Sequence, residues 1–476
     1  MKSLRAGTAL LIVASILTAG LAGAGQNAEA GRLSPGTRPN ILLIMADDLG
    51  WLDVGCQGNP RVDTPHIDRL ARQGMRFTDA YAAAPVCSPT RAAVLTGFSP
   101  ARLRITNHLP DEDRFIPEGA NLLPAEMLDH LPLERVTIAE RLAEAGYATG
   151  FFGKWHLAGR GEREGRGLVE FYPERQGFAT NVAGCAHAGP PTYFDPYRIH
   201  TLPDRQEGEY LPDRLADEVI AFVRSNRDRP FLAFLWNYAV HWPMEAPGEL
   251  VKKYESRVGP GVKDPRYAAM TEALDASLGK IFTALDELGL RDNTVVIFTS
   301  DNGPFLGVAD AKPLRSGKGH LYEGGIRVPL IVRWPGRVRP GSVCDEPVIS
   351  MDFYPTLLEA AGLPAERARP IDGESLMPLL TQTGDLERRS IYFHYPNYAF
   401  HRGNRLAGAI RKGNYKLIEF FDGSPSELYD LEQDKGETHD LAALQPAIVA
   451  SMREELARWR TASEAAMPRW AKARED

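Results

Sequence analysis

The stretch PNILLIMADD, residues 39–48, decides the fold. Its apolar residues follow one another without alternation, which is typical of a strand buried on both faces of a sheet. The run ends directly in Asp47 and Asp48, and TVVIFTSDNG, residues 294–303, repeats the design with Asp301 and Asn302. Because ligands bind beyond the carboxyl ends of parallel strands, we expect both acidic pairs to converge at one sheet edge.

Further strands and helices alternate along the first four fifths of the chain. Apolar runs predict core strands at residues 147–152, 231–238 and 328–332. Helical periodicity predicts helices at residues 213–226 and 267–288. The segment VTIAERLAEAG predicts another helix, which begins with a capping box of Thr137 and Glu140 and ends at Gly146. This alternation predicts the α/β class, with a large, mostly parallel or mixed sheet flanked by helices on both faces.

The pattern changes near residue 380, where short strands joined by turns replace the alternation. RSIYFHYP, LAGAIRKGNYKLIEFF and SELYDLEQD predict an antiparallel sheet, and a helix follows from Pro446 to about Trp459. We therefore predict a large α/β domain at residues 38–380, which carries both acidic pairs, and a smaller C-terminal α+β subdomain at residues 381–476. The stretch at residues 159–212 is rich in Gly, Pro and charge, and such long connections often line a site.

The first 30 residues have the pattern of a secretory signal peptide, with Lys2 and Arg5 before an apolar run and small residues after it. An uncleaved anchor is the alternative. We expect an exported protein, periplasmic or secreted, without stable membrane insertion. The net charge of −7 argues against a nucleic-acid partner.

The cysteines are few and far apart, which argues against a disulfide-built scaffold or a structural zinc site. They are Cys56, Cys87, Cys185 and Cys344. One or two disulfides after export remain compatible with this pattern.

Both acidic pairs offer only oxygen ligands. Oxygen donors favour Ca²⁺ or Mg²⁺ over zinc, and adjacent carboxylates repel each other unless a cation lies between them. The alternative for each pair is an aspartate that caps the turn after its strand.

Cys87 lies in PVCSPTRAAVLTG, residues 85–97. Ser88 is a predicted N-cap and Pro89 suits the first helical position, which would place Cys87 beside a helix N-terminus that favours anions. Arg91 in the first turn can reach back to the same place. A plain thiol there would have a lowered pKa.

Lysines and histidines recur near the ends of other predicted strands. They are Lys154 and His156 in GKWHLAG, His241 in HWP, and Lys318 and His320 in GKGHLYEGG. Taken singly, each is equally compatible with a solvated loop side chain.

These segments together resemble a known family. CSPTR at residues 87–91 matches the C-x-P-x-R pattern of type I sulfatases, and PNILLIMADDLGW, GKWHLAG, HWP, SDNGP and GKGHLYEGGIRVPLIVRWPG follow in the family's order. SELYDLEQDKGETHDLA is similar too, so the match spans residues 39–442. The chain thus resembles the formylglycine-dependent sulfatases of the alkaline-phosphatase-like superfamily, and in layout the bacterial arylsulfatase A-like carbohydrate sulfatases.

The resemblance implies that a formylglycine-generating maturation enzyme oxidises Cys87 to Cα-formylglycine. The hydrated aldehyde, a gem-diol, would attack sulfur with the help of one Ca²⁺. The implied ligands of that ion are Asp47, Asp48, Cys87 in its modified form, Asp301 and Asn302.

The resemblance also implies roles for five further residues. Arg91 and Lys154 would hold the gem-diol and the sulfate, and His156 would act as the base when the enzyme–sulfate ester breaks down. His241 and Lys318 would lie at the leaving oxygen, where a histidine with a pKa of about 7 can protonate an alcohol.

The segment at residues 102–124 resembles that of bacterial carbohydrate sulfatases, which implies a sulfated carbohydrate substrate. This would be a glycosaminoglycan or algal-type polysaccharide fragment, for example a sulfated galactose or N-acetylgalactosamine. Candidate substrate contacts are Asn107, His108, His187, Arg198, His320 and His401. The alternatives are a phosphonate or phosphodiester hydrolase of the same superfamily, and an exported glycan-binding protein without activity.

Overall fold

A computed structural model describes residues 38–110, 113–364, 371–401 and 403–471. The predicted signal peptide at residues 1–30 lies outside these described residues. The strands are β1 (Asn40–Ala46), β2 (Met75–Phe77), β3 (Ala80–Tyr81), β4 (Leu122–Leu123), β5 (Ala148–Gly153), β6 (Thr180–Val182), β7 (Phe231–Trp236), β8 (Thr294–Ser300), β9 (Leu330–Arg333), β10 (Ser342–Cys344), β11 (Val348–Ile349), β12 (Ser390–Tyr395), β13 (Ala407–Lys412), β14 (Tyr415–Phe420), β15 (Glu427–Asp430) and β16 (Arg469–Trp470). The α-helices are α1 (Pro65–Gln73), α2 (Cys87–Thr96), α3 (Pro100–Leu103), α4 (Ile138–Glu144), α5 (Leu211–Ser225), α6 (Gly248–Glu255), α7 (Pro265–Glu287), α8 (Glu323–Ile326), α9 (Phe353–Ala360), α10 (Met377–Leu380) and α11 (Pro446–Ala462).

An eight-stranded sheet in the order β10-β2-β9-β8-β1-β7-β5-β6 forms the centre of the large domain. The strands from β8 to β6 in this order run parallel, whereas β9 is antiparallel to both β8 and β2. Every residue of β1 is buried, as expected for a strand with a neighbour on each side and helices over the sheet. The predicted mixed sheet with flanking helices is confirmed.

The helices form two groups. Helix α7 packs against α1, α5 and α6, and helices α2, α4 and α9 pack against one another. The capping box of α4 is present, because the Thr137 hydroxyl accepts the Glu140 N–H at 3.1 Å and the Glu140 carboxylate accepts the Thr137 N–H at 2.7 Å. These caps satisfy N–H groups that the first helical turn leaves without partners.

The C-terminal region contains the antiparallel sheet β12-β13-β14-β15, covered on one side by α11. The other side joins an apolar cluster that includes Tyr395 and Ile418 of this sheet and Val86 of the large domain. Since Val86 directly precedes α2, the small sheet supports the start of that helix. The boundary at residue 380 stays a prediction.

A second set of buried charges lies where the two sheets meet. These six side chains, called the junction cluster below, are Asp79, Glu323, Arg327, Arg411, Lys416 and Glu437. Lys416 lies 2.9 Å from Glu323 and 2.8 Å from Glu437. Asp79 forms ion pairs with Arg327 and Arg411, each with an N···O distance of 2.7 Å. The junction cluster therefore links α8 and β3 of the large domain to β13 and β14.

Within the described part of the chain, the helices are too short or too polar to cross a membrane. All four cysteines are free thiols.

Candidate active site

The two acidic pairs meet at one sheet edge, as the sequence predicts. β1 and β8 are adjacent and parallel, and their last residues, Ala46 and Ser300, face each other in register. Asp48 therefore lies beside Asp301, whose carboxylate accepts the Asp48 N–H at 3.2 Å. Asn302 donates from Nδ2 to Asp48 at 2.8 Å. Asp48 also holds a φ of 62°, an unfavourable left-handed conformation for a residue other than glycine.

Three cations surround these carboxylates and form what we call the active-site cluster. It consists of three ion pairs, which are Arg91 with Asp301 at 2.5 Å, Lys154 with Asp47 at 2.6 Å, and Lys318 with Asp48 at 2.6 Å. All six side chains are buried. Lys154 follows β5, Arg91 comes from α2, and Lys318 comes from the loop after β8, so four segments contribute to one point.

The carboxylates remain electrostatically crowded despite these pairs. Burial and the neighbouring Asp301 raise the pKa of Asp47 to about 8, against the opposing effect of Lys154. Burial would also raise the pKa of Asp48, but Lys318 and His241 hold it below its usual range. Unrelieved repulsion around Asp47 is therefore a property of this site.

Cys87 lies at the first position of α2, and the structure corrects two predictions about it. The N-cap is Val86 rather than Ser88, whose hydroxyl instead donates to the His156 carbonyl at 3.0 Å and accepts the Leu109 N–H at 3.1 Å. The thiol pKa is raised to about 12 rather than lowered, because burial outweighs the effects of Lys154 and Lys318. The unmodified thiol therefore stays protonated at neutral pH.

The donor set at this point fits a divalent cation. One oxygen each of Asp47, Asp48 and Asp301 and the Cys87 Sγ lie within 4.8 Å of one another, with the sulfur standing where oxygens of the modified side chain would be. The Asn302 Oδ1 is buried and has no hydrogen-bond partner among the residues that the structure describes. Carboxylate and amide oxygens are the ligands that Ca²⁺ prefers in proteins.

Two histidines flank the cluster in different states. The His156 Nε2 contacts the Leu109 carbonyl, while its Nδ1 is buried and has no partner in the described part of the chain. The His241 Nδ1 lies 2.7 Å from the Trp242 carbonyl, and its Nε2 is 3.8 Å from Asp48. Burial and Lys318 lower the pKa of His241 to about 3, so the expected value of about 7 does not describe the substrate-free site.

Lys318 of the cluster and the neighbouring Cys87 form the floor of a cavity of about 1030 Å³. Of the residues predicted from the sequence, Cys87, His108, His156, His187, His241 and Lys318 line it. Parts of residues 159–167 cover one side, in agreement with the predicted site-lining connection.

The other four candidate substrate contacts lie outside the cavity lining, and their role stays a prediction. Asn107 is buried behind the wall and donates to the Tyr398 carbonyl at 2.7 Å. His320 lines a separate pocket, and Arg198 is exposed on the long connection. His401 is buried against Phe400 and leaves its Nε2 unpartnered.

Phe115 and Phe400 also line the cavity, and sequence reasoning missed them. Both lie outside regular strands and α-helices, so no periodicity marks them. The only available signal was an aromatic residue inside a polar loop.

Comparison with known proteins agrees with this geometry. The sulfatase family profile matches residues 39–363, and the profile for the C-terminal part of N-sulphoglucosamine sulphohydrolase matches residues 316–462. The chain is 35% identical to arylsulfatase A of Homo sapiens, over 90% of this chain and 89% of the relative. It is 33% identical to N-acetylgalactosamine-6-sulfatase of Canis lupus familiaris, over 86% of this chain and 75% of the relative.

A solved structure is similar over nearly the whole fold. The crystal structure of Ps i-CgsB in complex with k-i-k-neocarrahexaose superposes with a TM-score of 0.75 at 31% identity, covering 89% of this chain and 93% of that chain.

Proposed function

We propose that this chain, which belongs to the type I sulfatase family and is a sulfuric ester hydrolase, releases sulfate from sulfated sugars. The observation that carries the proposal is the active-site cluster, where four ligand atoms meet three cations and where Cys87 and Lys318 open to a cavity. The names of its relatives support a sugar, since one acts on N-acetylgalactosamine 6-sulfate and one structure holds neocarrahexaose. A glycosaminoglycan or algal-type fragment fits this class.

Asp47, Asp48, Asp301 and Asn302 would hold one Ca²⁺, together with Cys87 after its conversion to formylglycine. When bound, Ca²⁺ supplies positive charge beside the sulfate oxygens, and the hydrated formylglycine supplies the attacking oxygen. The buried carboxylates and the unpartnered Asn302 Oδ1 support this assignment.

With all three aspartates ionised, as a bound cation would hold them, their charges balance those of Arg91, Lys154 and Lys318. One divalent cation therefore leaves an excess of positive charge at the cavity floor, which favours a sulfate ester with its single negative charge. Arg91 and Lys154 orient the residue at position 87 and the sulfate. Arg91 is itself fixed by Asp301 and by the Lys154 carbonyl, which accepts at 2.7 Å.

His156 would take up a proton in this scheme. The Leu109 carbonyl accepts from Nε2, so the tautomer carries hydrogen on Nε2 and leaves a lone pair on Nδ1. This Nδ1 is buried and unpartnered. A base at that atom would help the sulfated residue at position 87 to release its sulfate.

Lys318 and His241 would stabilise the oxygen that leaves with the sugar. Asp48 holds the pKa of Lys318 well above its usual value even though burial opposes this, so Lys318 stays charged. His241 is neutral without substrate, and the negative charge of a bound sulfate ester would raise its pKa toward the value that a general acid needs.

The cellular setting is part of the same proposal. A maturation enzyme would act on Cys87 in the CSPTR motif, and the protein would be exported to the periplasm or secreted, where large sulfated glycans occur.

Measurement of free sulfate from a panel of defined sulfated mono- and disaccharides tests the function. We expect release from at least one sugar, together with mass-spectrometric conversion of Cys87 from thiol to aldehyde. Faster turnover of an aryl phosphonate than of every sulfate ester would favour the phosphonate hydrolase alternative. An unmodified thiol in protein from the native host would contradict the mechanism.

A further inference from the structure

Three ring side chains form one wall of the cavity, which we call the ring wall and define as His108, Phe115 and Phe400. Their centroids are 5.4 Å apart for His108 and Phe115, 5.6 Å for His108 and Phe400, and 5.8 Å for the two phenylalanines. All three line the cavity that contains Cys87 and Lys318. The ring wall therefore faces the same space as the reacting group.

Phe400 lines this cavity and has 50% of its surface exposed. A large apolar side chain gains stability from burial, so half-exposure beside a reactive centre indicates a surface that a ligand covers. The flat apolar faces of Phe115 and Phe400 complement the C–H face of a sugar ring, which is apolar although the ring's edges carry hydroxyl groups.

His108 adds one directional polar group to this wall. Its Nδ1 lies 3.2 Å from the Asn107 Oδ1. The orientation of that amide is fixed, because its Nδ2 donates to the Tyr398 carbonyl at 2.7 Å and its Oδ1 accepts the Tyr395 hydroxyl at 3.3 Å. Since Oδ1 can only accept, the His108 Nδ1 carries the hydrogen and its Nε2 holds a lone pair.

That lone pair is free to serve a ligand. No group in the described part of the chain hydrogen-bonds the His108 Nε2. Burial, together with Lys318 and Lys154, lowers the pKa of His108 to about 3, so the ring is neutral and its Nε2 is an acceptor at neutral pH. Sugar hydroxyls are natural donors to such an atom.

We propose that the ring wall binds the sugar ring that carries the scissile sulfate. Phe115 and Phe400 contact the C–H face of this ring, and the His108 Nε2 accepts a hydrogen bond from one of its free hydroxyls. The inference rests on the proposed function and narrows its substrate class to sulfated sugars with an unsubstituted hydroxyl within reach of His108. It also separates two binding tasks, since the cluster on the floor holds the sulfate.

The apolar half of the ring wall is tested with Phe115→Ala and Phe400→Ala in the matured, calcium-loaded enzyme. We expect KM for the preferred sulfated monosaccharide to rise roughly tenfold in each variant, while kcat stays within about threefold. The inhibition constant of inorganic sulfate, which reports on the floor alone, is expected to stay unchanged. Phe421→Ala is the matched control, because Phe421 packs on His394 and lies outside the cavity lining.

The polar half is tested with a pair of His108 variants. His108→Gln can place an acceptor near the position of Nε2, whereas His108→Asn keeps a polar group only near Nδ1. We expect His108→Gln to retain most of kcat/KM and His108→Asn to lose roughly tenfold. Removing the contacted hydroxyl from the sugar should cost the unsubstituted enzyme as much, and should cost His108→Asn little, as in a double-mutant cycle.

The outcomes separate the two proposals. Absence of sulfate release by the unsubstituted enzyme from every sugar would overturn the proposed function. Release with unchanged KM in the phenylalanine variants, or equal activity of both His108 variants, would overturn the ring wall while leaving that function in place. A rise in the sulfate inhibition constant equal to the rise in KM would also overturn it, since the floor would then be distorted.

Discussion

The active-site cluster and the junction cluster contain the same numbers of acidic and basic side chains, but they differ in how completely the polar atoms in and around them are hydrogen-bonded. Each buries three carboxylates and three cations. In the junction cluster, every buried side-chain nitrogen and oxygen has a hydrogen-bond partner among the described residues, and Glu437 additionally accepts the Glu323 N–H at 2.7 Å. Around the active-site cluster, the Asn302 Oδ1 and the His156 Nδ1 have none.

The difference shows what distinguishes a structural network from a reactive one. An equal number of acidic and basic side chains alone does not, because both clusters have three of each. In the junction cluster, other protein groups satisfy the buried polar atoms, and the cluster joins two sheets. Beside the active-site cluster, Asn302 and His156 keep acceptor atoms without donors among the described residues, and Lys318 opens to a cavity. Unsatisfied acceptors at a cavity are what the proposed cation and sulfate ester would complete.

The largest expected effect comes from removing the residue that links the active-site cluster to its substrate. Cys87→Ala should lower turnover by at least roughly 1000-fold, because the attacking group is lost, while the melting temperature stays close to that of the parent. Cys185→Ala is the control, since Cys185 is also a buried free thiol but lies outside the cavity lining. It should keep full turnover at a stability cost of about 1 kcal/mol. Loss of folding in Cys87→Ala would indicate a structural thiol instead.

A matched pair of lysine variants tests the comparison directly. Lys416→Met leaves Glu323 and Glu437 buried without their shared partner and should destabilise the protein by about 3–5 kcal/mol, with kcat per folded molecule nearly unchanged. Lys318→Met should lower kcat/KM at least roughly 100-fold. Its stability loss should be smaller when calcium is present, because the cation stays next to Asp48. Urea unfolding and steady-state kinetics on both variants provide the measurement, and equal stability losses would contradict the distinction.

Metal removal should affect the active-site cluster and leave the junction cluster unchanged. Chelation should lower the melting temperature and added Ca²⁺ should restore it, since a ligand at a hundredfold its Kd contributes about 2.7 kcal/mol. Asp48→Asn should reduce this calcium-dependent shift, whereas Glu437→Gln should keep it. A shift of the same size in Asp48→Asn and the parent would place the metal elsewhere.

The smallest expected effect is a pH dependence from the junction cluster. Burial, opposed by Lys416, raises the pKa of Glu437 from 4.5 to about 7. Between these values the folded protein keeps a proton that the unfolded chain releases, so this group makes the free energy of unfolding decrease as pH rises through that window. Glu437→Gln should flatten the decrease in denaturant titrations across the window. An unchanged slope would show that Glu437 is already ionised in the folded state.

The sequence predicts the parts of this molecule that depend on unbroken runs of apolar residues. The runs before Asp47 and Asp301 indicate buried parallel strands, and parallel strands necessarily bring their carboxyl ends together. The pKa of Cys87 could not be predicted in this way. A helix N-terminus lowers a thiol pKa, but the depth of burial that outweighs it depends on residues far away in the chain.

The junction cluster and the ring wall escaped prediction for related reasons. Arg411 and Lys416 lie in short strands whose charges are equally typical of a solvent-facing sheet surface, and only the packing of two sheets shows that they are buried. Phe115 and Phe400 lie in loops, where no period distinguishes a ligand-facing ring from a structural one.

Phe400 lies on the loop that follows β12, so the C-terminal region contributes to a cavity whose reactive groups come from the large domain. Natural variation in that loop can alter which sugar is accepted while the reactive groups stay under separate selection. If the ring wall binds the sugar as proposed, exchanging this loop between relatives should change sugar preference while leaving the reactive groups in place.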